Sequence, residues 1–200
     1  MFETLAWIVV FWIAIASLGL LLAQNWRWLM AFLAAQYLGV FFLTLQNWTL
    51  AMASVKVIAG WIGVTILGMS RSGLMQEDAN QSESAVPAGR LFRLFAAGLI
   101  YVIAIVGTPT ISLMIADAPY PVTAGALVLI GMGLLHLGMT NQALRVTIGL
   151  MTALSGFEAL YATIEGSILV AALLAVINLG LALVGAYLMI ASHSSQMESQ

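Results

Sequence analysis

The sequence predicts an all-α fold, a polytopic membrane helix bundle with about seven transmembrane helices. Charged residues make up 7 % of the 200 residues and hydrophobic residues 62 %, which leaves too little polar surface to face water on all sides. A backbone in the bilayer must satisfy its own N–H and C=O groups, as helices and closed barrels do. Apolar runs of about 20 residues without a period of two favour helices over a barrel.

Breaks in the apolar runs predict seven spans, at residues 3–23, 28–46, 48–70, 91–116, 120–139, 141–163 and 167–191. The first span follows an acidic start, Met1-Phe2-Glu3, rather than a basic one, so we expect it to be retained rather than cleaved as a signal. Residues 71–90 are polar and have no apolar face, which predicts a flexible aqueous loop. The predicted organisation is a three-helix part (1–70), this loop (71–90) and a four-helix part (91–200).

The basic residues predict the orientation. Five arginines fall in or beside the odd-numbered connections and therefore on one side of the membrane: Arg27, Arg71, Arg90, Arg93 and Arg145. Cytoplasmic connections carry an excess of Lys and Arg. The N-terminus is therefore expected outside the cytoplasm, and the loop 71–90 and the C-terminus inside.

Lys56 is the first candidate for a functional residue. It lies about eight residues into the third span, roughly 12 Å from the helix start at about 1.5 Å per residue, which predicts a position close to mid-bilayer. Gly60 and Gly63 share its helical face, so it is expected to face packed protein. Two interpretations stay open: a lysine on a proton or ion path, and a lysine that pairs with a buried acid or reaches the membrane boundary.

Glu158 and Glu165 are the acidic candidates. Glu158 lies inside the sixth span, and Glu165, seven residues later, is expected on the same helical stripe, where the two could lead protons outward. Ser155 is expected to place a hydroxyl beside Glu158. The alternative for Glu165 is an ordinary interfacial acid, and the alternative for Glu158 is a structural charge.

Three further polar residues lie in the spans. His136, near the inner end of the fifth span, is either a titratable group on the proton path or only a hydrogen-bonding side chain. Gln36 and Asn178 lie mid-span, where a buried amide most often bonds to a neighbouring helix. We therefore predict interhelical contacts for both amides.

Several functional classes are disfavoured. The chain has no Cys, and its two His residues are far apart in sequence, so no disulfide, iron–sulfur cluster, haem or other metal site is expected. No nucleophile with a base, phosphate loop, zinc motif or basic patch for nucleic acid is evident. We expect no cofactor, no nucleic-acid partner and no enzyme activity of the chain on its own, although it could be a subunit of a membrane oxidoreductase complex.

Two segments carry a resemblance to a known family. Residues 134–151, LLHLGMTNQALRVTIGLM, and residues 178–183, NLGLAL, resemble the K-type small subunit of bacterial respiratory complex I and its antiporter C-type relatives. The long form of that family, with three extra N-terminal helices, is similar to component E of hydrogenase-4-type complexes. Its Arg in the first connection, Gln in the next helix and Lys before an apolar run resemble Arg27, Gln36 and Lys56. The resemblance spans most of the chain except residues 71–90.

The sequence departs from this family at both of its buried glutamates. Met151 and Val176 stand where the K-type pattern has Glu. Glu158 follows Met151 by seven residues, two turns along the same helical face, and is the candidate substitute.

These observations predict an accessory integral membrane subunit of a proton- or cation-translocating, redox-linked complex, contributing to an intramembrane proton path. The resemblance implies a bacterial or archaeal cytoplasmic membrane, with the lipid bilayer and antiporter-like membrane subunits as partners. Two alternatives are a non-catalytic membrane scaffold or assembly subunit and an independent small-solute transporter. The lack of evident repeats and broken helices disfavours the transporter.

Overall fold

The described part of the chain folds into a bundle of seven α-helices. The structure, a computed structural model, describes residues 2–75, 88–115 and 118–198, and within these it contains helices and no strand. The helices are α1 (Phe2–Leu22), α2 (Trp26–Thr44), α3 (Leu50–Met75), α4 (Ala88–Met114), α5 (Tyr120–Gly138), α6 (Ala143–Tyr161) and α7 (Ile168–Glu198). Each is long and apolar enough to cross a membrane. The predicted all-α membrane fold is confirmed, and the chain is an integral membrane protein.

The ends of α3 and α4 differ most from the predicted spans. α3 continues to Met75 and α4 begins at Ala88, so both flanks of the predicted loop 71–90 are helical. Polar residues do not stop a helix once it leaves the bilayer, and the first proline after α3 is Pro87. The rest of the predicted loop, residues 76–87, lies outside the described residues.

Local sequence signals define several other helix ends. The side chain of Asn25 accepts a 3.0 Å hydrogen bond from the backbone N–H of Arg27 and caps the start of α2. Pro119 precedes α5 and Pro121 lies in its first turn, where the missing N–H has no helical partner to lose. The connections at these helix starts are short, so α2 runs antiparallel to α1 and α5 runs antiparallel to α4.

The two predicted helical parts pack into one bundle. α3 packs along α7, and α1 packs against α5. α5 and α6 approach most closely, because Gly133 and Gly156 let their backbones touch: a Cβ at Gly156 would lie 2.6 Å from the carbonyl oxygen of Ala126. α4 is peripheral, with 17 % of its span buried, against 61 % for α5 and for α6.

Candidate functional site

A buried ion pair joins α3 to α6. Lys56 Nζ contacts Glu158 Oε2, and the two side chains are 4 % and 1 % exposed. Apart from each other, neither charged group has a hydrogen-bond partner among the described residues. A charge at this depth is tolerated only when it faces protein or water. Here each charge faces the other.

The pair lies in the half of the bundle away from the arginine-rich helix ends. Lys56 follows the first residue of α3, Leu50, by six positions, about 9 Å along the helix. Glu158 precedes the last residue of α6, Tyr161, by three positions, about 4.5 Å. Lys56 is therefore closer to the helix end than the predicted 12 Å, because α3 begins at Leu50 and not at residue 48.

The ring of Tyr37, from α2, forms one wall of the site. The Lys56 ammonium group lies over this ring, 5.1 Å from its centre, at the distance of a cation–π contact. Gly60, one turn after Lys56, makes this possible, since a Cβ at Gly60 would overlap the Tyr37 ring. The prediction that Gly60 and Gly63 provide a closely packed face around Lys56 is confirmed, because Gly63 packs against Met151 and Ala182.

Asn178 brings α7 into the site. The Tyr37 hydroxyl donates a 2.8 Å hydrogen bond to Asn178 Oδ1, and Asn178 is completely buried. The amide nitrogen of Asn178 has no hydrogen-bond partner among the described residues. Asn178 therefore forms an interhelical contact and keeps an unused donor inside the bundle.

Gln36 extends the polar region towards α1. It precedes Tyr37 and donates a 3.2 Å hydrogen bond through Nε2 to Thr152 Oγ1 on α6. Ser17 on α1 donates a 3.4 Å hydrogen bond to Gln36 Oε1. Gln36 thus joins α1, α2 and α6, and we name these residues the polar cluster: Ser17, Gln36, Tyr37, Lys56, Thr152, Ser155, Glu158 and Asn178.

Helix α6 supplies three members of the polar cluster at a spacing of three residues, Thr152, Ser155 and Glu158. All three are buried on one face. Ser155 Oγ donates to the carbonyl oxygen of Met151 at 2.8 Å, so its hydrogen is used within α6 and is not donated to Glu158. A serine in a helix readily bonds to the preceding turn in this way.

Glu165 is not part of this arrangement. α6 ends at Tyr161, and Glu165 lies exposed in the connection to α7. The predicted helical stripe from Glu158 to Glu165 is wrong, because Thr163 bonds back to Leu160 at 2.7 Å in a tight turn that ends the helix. The backbone carbonyl of Glu165 accepts a 2.8 Å hydrogen bond from Trp48 Nε1, and its backbone N–H donates to the carbonyl oxygen of Tyr161 at 3.0 Å.

His136 is buried in a different place, near the arginine-rich end of the bundle. It is 3 % exposed and lines a small cavity with Arg93 and Arg145. Its Cβ packs against Gly149, nine residues before Glu158, or about 13.5 Å along α6. The structure does not bring His136 into contact with the ion pair.

The two positions at which the K-type pattern has glutamate have different environments in this chain. Met151 is fully buried in the core, whereas Val176 is 64 % exposed on the outer surface of α7. Glu158 lies two turns beyond Met151 and is also buried, so the two occupy the same side of α6.

Sequence reasoning missed Tyr37, Ser17 and Thr152. Thr152 carried a readable signal, because with Ser155 and Glu158 it repeats a polar residue every third position along one apolar helix. Tyr37 carried none, since its role depends on which helices pack together.

A comparison with family models, curated proteins and solved structures finds no match for this chain. Within the described residues, no group of three or more His, Asp and Glu side chains could hold a metal ion. In the part of the chain that the structure describes, fold and site together define a seven-helix integral membrane protein with a buried Lys–Glu ion pair beside a polar cluster.

Proposed function

We propose that this chain is an accessory membrane subunit of a proton- or cation-translocating, redox-linked complex, and that the Lys56–Glu158 pair belongs to its intramembrane ion path. The observation that carries the proposal is the burial of both charges inside a predominantly apolar bundle. Two apolar side chains would fill the same space without the desolvation cost, so a buried pair is weak evidence for a role in stability. Ionisable groups inside membrane helices are rare and typically mark ion pathways and proton relays.

The arrangement of hydroxyl and amide groups supports a path longer than the pair itself. From Glu158, the α6 face leads through Ser155 to Thr152, which bonds to Gln36. Hydroxyl groups both donate and accept hydrogen bonds and can pass a proton along such a series when water completes it. His136 on α5, which packs against Gly149 of α6, is the candidate at the arginine-rich end.

The resemblance to hydrogenase-4 component E and to the K-type subunit of complex I supports the subunit class. In this proposal Glu158 has the role of the first buried glutamate of the K-type pattern, although it lies two turns farther along α6. Antiporter-like membrane subunits are the proposed partners.

The arginine distribution supports a membrane orientation. Arg27 and Arg145 lie in the first turns of α2 and α6. Arg71 lies near the end of α3, and Arg90 and Arg93 lie near the start of α4. Antiparallel helices bring these positions to one end of the bundle, which we propose faces the cytoplasm. The N-terminus is then outside a bacterial or archaeal cytoplasmic membrane, and the C-terminus inside.

The second candidate function is a structural scaffold or assembly subunit. The direct contact of Lys56 with Glu158 favours it, because each charge compensates the other without a hydrogen bond from any other described residue. An independent transporter has less support, since the seven spans are continuous helices in the described residues and break nowhere around a central site.

Purification from native membranes tests the proposed class. A tagged copy of this chain should elute together with larger antiporter-like subunits. The chain purified away from those subunits should show no ion movement. If the chain elutes without other subunits, and liposomes that contain only this chain take up solute, the proposal is contradicted and a transporter is favoured.

A further inference from the structure

A basic cavity lies where the ends of α1, α4, α5 and α6 meet. Its volume is about 10 Å³, and it opens to the surroundings. The lining residues are Leu21, Arg93, His136, Met139, Thr140 and Arg145. Two of these residues carry a fixed positive charge, and none is acidic.

Both arginines are held in place by the end of α1. Arg93 Nη1 donates to the carbonyl oxygen of Leu21 at 3.4 Å, and Arg145 Nη2 donates to that of Ala23 at 2.8 Å. Cations are stabilised near the unpaired carbonyls of a helix C-terminus. A guanidinium group has five N–H donors, so the bond from Arg93 leaves most of its donors for another acceptor.

His136 supplies the second, independent observation. Its Nε2 atom is buried and has no hydrogen-bond partner among the described residues, and the side chain lines the cavity. Buried polar atoms are almost always hydrogen-bonded in native proteins, so an unpartnered one indicates a missing water or ligand. The cavity has room for about one oxygen-sized group.

We infer that this cavity binds the phosphate group of an anionic phospholipid, with one phosphate oxygen at His136 Nε2 and the rest of the group at the mouth beside Arg93. Basic pockets between the cytoplasmic ends of membrane helices are typical sites for anionic headgroups. A lipid is favoured over free phosphate because Arg93 lies between two exposed apolar side chains on α4, Phe92 and Leu94, and α4 is the least buried of the seven described helices. Acyl chains can pack against these while the headgroup reaches the arginine.

Native mass spectrometry of the full chain in detergent tests this inference, with phosphatidylglycerol, phosphatidylcholine and inorganic phosphate as probes. The wild type should bind phosphatidylglycerol most tightly. Arg93→Gln should weaken this binding about fivefold, the effect of one basic residue at a membrane surface. Arg90→Gln is the matched control, because Arg90 is exposed on the same helix and does not line the cavity; it should change the affinity less than twofold.

His136→Asn removes the ring nitrogen and keeps both arginines, and it should weaken binding about fivefold, the effect of losing one hydrogen bond. It serves as the test if Arg93→Gln fails to fold by circular dichroism. Equal losses in Arg90→Gln and Arg93→Gln would show a general surface charge effect and overturn the site. Displacement of the lipid by millimolar inorganic phosphate would overturn the lipid as its occupant.

Discussion

The ammonium group of Lys56 lies 5.1 Å from the centre of the Tyr37 ring, whose hydroxyl group bonds to Asn178 on another helix. One side chain of α2 thus contacts both the buried cation on α3 and the amide on α7. Tyr37 determines where the ammonium group can lie, and this relationship leads to the first prediction.

Tyr37→Phe should destabilise the bundle by about 1 kcal/mol, because it keeps the ring under Lys56 but leaves Asn178 Oδ1 without its donor. Tyr37→Leu should destabilise it more, because the cation–π contact is lost as well. Unfolding of the purified chain in mixed micelles measures both. Equal stability of the wild type and Tyr37→Phe would show that the hydrogen bond to Asn178 contributes nothing.

Gly60→Ala should destabilise the protein by about 1–3 kcal/mol through overpacking, since its Cβ would overlap the Tyr37 ring. Gly68→Ala is the matched control on the same helix, because a Cβ there lies at an ordinary 3.7 Å from the nearest atom, in Met30. We expect little change in the melting temperature of the control. Similar melting temperatures for the two variants would contradict the close packing of α3 on Tyr37.

Single-cysteine labelling tests the orientation, and the chain has no native Cys to interfere. Ser82→Cys, in the predicted loop 71–90, should react only with reagent on the cytoplasmic side. Glu165→Cys, in the connection between α6 and α7, should react only from the other side. The reverse pattern would invert the proposed topology, and reaction of both from one side would contradict the antiparallel bundle.

Deletion of residues 76–84 should leave insertion and accumulation unchanged, because this stretch is polar and has few apolar side chains to bury. Immunoblotting of isolated membranes measures the amount of protein. A large loss would show that these residues dock on the bundle or on a partner.

The sequence predicts the fold well because the bilayer imposes a simple rule, a run of about 20 apolar residues for each helix. It also singles out Lys56 and Glu158, since charges inside such runs are rare. It leaves open whether Lys56 pairs with a buried acid and does not identify Glu158 as the partner, because a separation of 102 positions (158 − 56) along the chain carries no signal for the packing of α3 next to α6.

Glu165 and Lys56 show how far a prediction depends on where a helix begins and ends. The spacing of seven residues would align Glu165 with Glu158 only if α6 continued, and the turn closed by Thr163 ends it first. The depth of Lys56 likewise depends on a helix start that a hydropathy pattern places only within a few residues.

Coupled proton movement by the assembled complex in proteoliposomes, measured for Lys56→Met, Glu158→Gln and the double variant, tests the ion-path assignment most directly. Each single variant should assemble and slow proton movement by about a hundredfold, because it removes a titratable group at similar volume. Glu165→Gln, which changes an exposed acid, should behave like the wild type. Loss of assembly in both single variants, with recovery in the double variant, would indicate a structural pair. Normal assembly and normal proton movement in both single variants would contradict the ion-path assignment.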